Sequence, residues 1–245
     1  MSPPGPKSPT YTLHEDPISG NCYKIHLLCA LLGIPLRTKY YSFLRGETRT
    51  ADFLTRVNAA GRIPVLQIDA AGGPGEDGGG DDDAPAVFLP ESNAICCYLA
   101  EGTALLPAGT TGGGDDDAEA RLARAQVLRW LFWEQYSHEP TVATVRYWRR
   151  ILGSANLNDA QRVALPGKQA AGDEALRVME GHLAGRKWFV GDSVTVADIV
   201  LFPYTHVAPQ SGFDLSPDRY PAIVAWIERV KALEGFIEWE ASGSE

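Results

Sequence analysis

The sequence predicts an α/β layer over residues 10–106 followed by an all-α helical bundle over residues 119–245. Three observations carry this. Strand-like and helical segments alternate up to about residue 101, and strand signals vanish from Ala118 onward. A Gly/Asp-rich stretch, AGTTGGGDDD at residues 108–117, falls where the pattern changes and lengthens a linker over 107–118. Segregated strand-bearing and helical halves each need a core of their own, and 245 residues with 44% hydrophobic side chains suffice for two.

The first predicted strand is Tyr11–Leu13, and a polar turn leads from it to a helix at Asn21–Leu32 with Gly33 as its C-cap. Leu36–Phe43 alternates like a second strand, and Thr50–Val57 reads as a short helix. Residues 63–68 (IPVLQI) and 86–89 (AVFL) form a hairpin, and Glu91–Glu101 returns as a helix. This βαβ–αββα order is that of a thioredoxin-like layer. Residues 70–85, AAGGPGEDGGGDDDAP, far exceed the about two to five residues a hairpin loop needs, and their composition marks a disordered, solvated insertion. Its aspartates lack the spacing and closing glutamate of a calcium loop.

In the second half RLARAQVLRWLFWEQYSHE has helical period, and Pro140 is expected to open a further helix through Trp148 and Leu152. Another helix fits Asp159–Leu183, with Pro166 as a kink candidate. Thr195 and Asp198 have the spacing of a capping box ahead of a buried apolar helix, and Tyr220-Pro221 starts the last helix. Residues 1–9 read as a flexible Pro-rich arm without the apolar stretch of a signal peptide.

With 22 basic and 31 acidic residues, the net charge of −9 argues against nucleic acid or an anionic membrane as partner. No window reaches the roughly 18 apolar residues of a membrane helix. Cys22, Cys29, Cys96 and Cys97 lie in helical patterns and are expected to be reduced thiols of a cytoplasmic protein. The spacing contains no CxxC pair, so no metal site is expected.

Four segments, in order, resemble the glutathione transferase superfamily of the serine type and are similar to its bacterial and fungal members. SGNCYKI (19–25) is similar to the active-site turn opening the first helix, and NAAGRIPVLQ (58–67) to the segment whose proline is cis. PESNAICCYL (90–99) and GDSVTVADI (191–199) match the other two family segments, and RWLFWEQYSHEP (129–140) adds to the likeness. Ala59 stands where the family has proline, and both acidic stretches are extra. The resemblance implies glutathione as co-substrate, a homodimer, and a small hydrophobic electrophile as the second substrate.

The residues themselves leave alternatives open. Ser19 reads as an ordinary helix N-cap, as a hydroxyl donor to a sulfur anion, or as the first position of a worn CxxC motif with Cys22 as the surviving thiol. Asn21 is a second donor beside it. An X–Pro bond is trans in most proteins; a cis Pro64 would turn the main chain of Ile63 outward for strand-like pairing with a bound peptide. Ser92 alone is an N-cap; in the family reading it holds the γ-glutamyl carboxylate at a positive helix end, and Glu91 accepts from the amine. Arg49 and Arg62 are candidates for the glycyl carboxylate, although each alone reads as surface charge.

Phe43, Trp133, Tyr136, His138 and Tyr147, with Trp148, are candidates for an electrophile pocket between the domains, although aromatics at helical spacing usually form core. A cysteine-like thiol has a pKa of about 8.5, so a donor and a helix N-terminus that lower it by about one to two units raise the thiolate fraction. The resemblance implies a transferase, with a glutathione-dependent isomerase or a non-catalytic glutathione-binding protein of the same fold as alternatives.

Overall fold

The computed structural model describes residues 9–69, 86–108 and 115–239, with side chains from residue 118 onward in the last stretch. The expected arm, the insertion at 70–85 and most of the linker stretch at 108–117 lie outside the described residues. The chain divides into two compact units, one ending at Leu99 and the other running from Ala100 to Trp239. The division falls ahead of the expected linker because residues past Ala100 bond within the second unit, where the Val196 N–H donates to the Leu105 carbonyl at 2.8 Å.

The first unit holds β1 (Thr10–Glu15), α1 (Gly20–Leu32), β2 (Arg37–Tyr40), a 3₁₀ turn (Glu47–Arg49), α2 (Ala51–Arg56), β3 (Val65–Asp69), β4 (Val87–Pro90) and α3 (Ser92–Ala100). The sheet order is β2-β1-β3-β4, with β1 parallel to β2 and antiparallel to β3, and β3 antiparallel to β4. Leu13 pairs with Leu66 and His14 with Val65, so alternate residues of β1 and β3 serve opposite faces. Leu13, Leu66, Ile25, Leu28 and Ile95 are fully buried, and each such side chain contributes about 1.5–3 kcal/mol. His14 bridges Tyr41 Oη at 3.1 Å and Gln67 Oε1 at 2.9 Å. The Tyr41 ring meets Phe53 of α2 edge-on at 4.9 Å.

Helix α1 ends at Gly33, whose left-handed φ of 64° lets its N–H reach the carbonyls of Cys29 and Ala30. Helix α2 is capped by Thr50 Oγ1, which accepts from the Phe53 N–H at 3.3 Å.

The second unit is helical: α4 (Asp115–Trp133), α5 (Thr144–Arg146), α6 (Asp159–Leu183), α7 (Val196–His206) and α8 (Pro221–Lys231). Pro140 does not open a new helix, contrary to expectation. Helix α4 passes into a π-helical segment, Glu134–Ala143, with Pro140 inside it, and a second such segment, Tyr147–Ile151, follows α5. The wider π turn accommodates a residue that has no N–H to give and a ring that would strike the preceding turn of an α-helix. Lys168 Nζ takes up the Pro140 carbonyl at 2.7 Å.

Helix α6 runs through Pro166 and opens on a reciprocal Asn158–Gln161 box that the sequence reading missed. The expected Thr195–Asp198 box is present, with Asp198 Oδ2 accepting the Thr195 N–H at 2.9 Å and its hydroxyl at 3.1 Å. Asp198 Oδ1 accepts from the Phe189 N–H and from Trp226 Nε1 of α8, at 3.1 and 2.9 Å, so one carboxylate ties three segments. Burial nonetheless pushes its pKa up to about 6. Among the described residues no helix is long and apolar enough to cross a membrane.

Candidate active site

β1 ends at Glu15, and the tight turn 16–19 brings the chain to α1, whose leading peptide N–H groups form a positive helix end. Ser19 holds the N-cap position with extended backbone (φ −88°, ψ 119°), and its carbonyl accepts from the Cys22 and Tyr23 N–H groups, both at 3.1 Å. Its hydroxyl makes no capping hydrogen bond. Ser19 thus holds the N-cap position by its backbone, while its side chain does not serve as the cap.

Cys22 itself is 0% exposed, and burial pushes its thiol up to about 12, overriding hydrogen bonds from the Asp16 main chain and the Ser19 side chain. A thiol held there has almost no thiolate at neutral pH, so Cys22 is a core residue and not an attacking group.

Ser19 opens onto a cleft of about 290 Å³ lined by Phe43, Thr48, Arg49, Gly61, Arg62 and Ile63. The structure thus brings together five of the residues singled out in the sequence and adds Thr48 and Gly61. Arg49 Nη1 donates to the Ala60 carbonyl at 3.0 Å and lies over Gly61, where φ is 63°. A Cβ at 61 would stand 2.6 Å from that nitrogen. The Arg62 carbonyl accepts from Asn58 Nδ2 at 3.0 Å, which closes the turn that presents its exposed side chain. The Ile63–Pro64 peptide is cis. Among the described residues the main chain of Ile63 carries no hydrogen bond, leaving a donor and an acceptor for an extended ligand.

Asn21, Glu91 and Ser92 form a second group, on α1 and at the start of α3. Ser92 is not the N-cap but the first helical residue; the cap place belongs to Glu91, whose carbonyl accepts from the Ile95 N–H at 2.9 Å. Glu91 sits at φ 72°, a left-handed conformation that costs a residue with a side chain about 1 kcal/mol or more. The Ser92 hydroxyl donates to Asn21 Oδ1 at 3.3 Å and accepts from Lys24 Nζ at 3.3 Å. Lys24 is 0% exposed and also donates to Asn93 Oδ1 at 3.1 Å. It lies within the SGNCYKI segment, yet its helical position among apolar neighbours gave no sign of this role.

The remaining aromatic candidates belong to the second unit and do not behave alike. Tyr136 is 87% exposed, Tyr147 is half-buried, and Trp133 packs edge-on against Trp130 at 5.1 Å. His138 is corrected from pocket to core: it is 0% exposed, and its Nε2 shares a 3.0 Å hydrogen bond with the Thr205 hydroxyl.

An N-terminal layer that presents a helix end, a serine hydroxyl and a cis proline around one cleft, together with a separate helical unit, has the form of glutathione transferases. Residues 18–101 match the N-terminal domain of glutathione S-transferases and residues 158–234 the C-terminal domain. A possible glutathione S-transferase from Rhodopseudomonas palustris is 39% identical, with 94% of this chain and 90% of that chain covered and a TM-score of 0.76. A glutathione S-transferase-like protein, LUC7, from a Fusarium species is 27% identical over 86% of this chain and 84% of its own. The disulfide-bond oxidoreductase YfcG of Escherichia coli is 24% identical over 86% of each. The chain belongs to the glutathione S-transferase family.

Proposed function

We propose that this chain is a glutathione transferase in which Ser19 and the leading amides of α1 stabilise the glutathione thiolate for attack on a small hydrophobic electrophile. The observation that carries the reading is the Ser19 hydroxyl, unused as a helix cap, in one cleft with Arg49, Arg62 and Ile63. Glutathione, a tripeptide, fits that set. Its main chain would pair with Ile63 and its glycyl carboxylate would meet Arg49 and Arg62. The γ-glutamyl head would lie at Glu91 and Ser92, with Asn21 helping to hold the sulfur.

The thiol proton passes to solvent. The sulfur lone pair then forms the carbon–sulfur bond as the leaving group departs with its own bonding pair, so neither partner is oxidised or reduced. Phe43, on the cleft wall, is the proposed first contact of the electrophile.

The burial of Cys22 speaks against thiol–disulfide exchange through a protein cysteine, because that route needs an accessible protein thiolate. The same reading takes the protein as a cytoplasmic homodimer, and sedimentation at twice the chain mass is the expected result.

The test is calorimetry with glutathione, followed by conjugation to an aryl halide. Ser19→Ala is expected to lower kcat/KM by about 10–100-fold and to raise the bound thiol's pKa by about one unit. Cys22→Ala is expected to keep turnover within about threefold. Binding without turnover, indifferent to Ser19→Ala, would identify a non-catalytic glutathione-binding protein. Turnover only with a conjugated isomerisable substrate would identify an isomerase.

A further inference from the structure

The two walls of the cleft are joined by a residue that does not itself line it. Asp16 is 7% exposed, and its carboxylate accepts the Ile18 N–H on Oδ1 and the Phe43 N–H on Oδ2, each at 3.2 Å. Its carbonyl accepts the Ser19 N–H at 3.0 Å. One buried side chain thus fixes the turn that carries Ser19 and, 27 residues along the chain, the loop that carries Phe43. Both residues line the cleft. A carboxylate suits this place because it offers two acceptors and no donor, and each bond to it is charge-assisted.

Its negative charge works against the proposed chemistry, since it disfavours a sulfur anion nearby. An electrostatic role in activating the thiol is therefore the wrong sign, which leaves geometry as its contribution. We infer that Asp16 is a positioning residue that holds the Ser19 turn and the Phe43 loop in register for thiolate stabilisation; this rests on the reading of the cleft as a glutathione site.

Asp16→Asn separates the two effects. It removes the charge but replaces one acceptor with an NH₂ group, which faces either the Ile18 or the Phe43 N–H, donor to donor. If position dominates, the pKa of bound glutathione, read from thiolate absorbance, rises by about half a unit or more although a negative charge has gone. Amide exchange then quickens at Ile18 or Phe43 in the ligand-free variant. A thiol pKa that falls or stays, with both amides still protected, overturns the inference and leaves the glutathione reading intact. Should the variant not fold, the wild type decides. Parallel changes in protection at Ile18 and Phe43 as glutathione is added support the clamp, and independent changes overturn it. A wild type that binds no glutathione overturns both readings together.

Discussion

Arg49 keeps one guanidinium nitrogen on the Ala60 carbonyl only because position 61 has no Cβ. Gly61→Ala would meet Arg49 Nη1 at 2.6 Å and would hold an L-residue at φ 63°. Urea melts are expected to register a loss of about 1–2 kcal/mol. Calorimetry is expected to register about tenfold weaker glutathione binding, the cost of displacing one charged contact. Gly61→Ala with unchanged affinity would remove Arg49 from the proposed site.

At this scale the sequence displayed the residues that local motifs single out: Ser19, Arg49, Arg62, Ile63 and Phe43 meet at one cleft. It hid those whose value comes from a distant contact. Asp16 acquires its role through the Phe43 amide, and Lys24 through a serine on another helix; no local pattern encodes either.

Among the elements, α7 makes the clearest pH prediction. His206, in its last turn, stacks on Phe202 at 4.4 Å and bonds the Phe202 carbonyl through Nδ1 at 3.1 Å. Burial holds its pKa down to about 4 from an ordinary 6.5. Between those values the unfolded chain binds the proton and the folded chain does not, so stability falls as pH drops from 6.5 towards 4. His14 and His182 are shifted the same way by burial, whereas Asp198, pushed up to about 6, opposes them in part of that window. His206→Phe is expected to flatten the decline between pH 7 and 4.5 by about 2–3 kcal/mol in denaturant melts, and an unaltered slope would refute the assignment.

Elements with a regular period were legible, including α1 with its Gly33 cap and the box opening α7. The passage of the chain through Pro140 was not. A proline signals a break in an α-helix, and the period alone gives no notice that the hydrogen bonding will change to the π form and continue.

For the whole molecule, the acidic stretch at residues 70–85 sets the prediction. β3 and β4 pair in hairpin register, Ile68 opposite Val87, on either side of residues 70–85. Replacing those residues with Asn-Gly, a turn suited to two-residue hairpins, would remove Glu76, Asp77, Asp81, Asp82 and Asp83 while leaving the described cleft untouched. Stability is expected to hold or to rise by about 1 kcal/mol, because loop-closure entropy grows only slowly with length. Glutathione affinity is expected to be retained. Lost affinity on calorimetry would instead make the stretch part of the binding surface.

Glu91 carries a consequence for anyone wishing to make this protein more robust. Its backbone occupies a region where glycine rests easily and a glutamate does not, directly ahead of the residue that begins α3. Selection for heat tolerance alone would favour glycine there, and the hardened protein would lack the carboxylate proposed to accept from the γ-glutamyl amine. Toughness and recognition pull this one position in opposite directions.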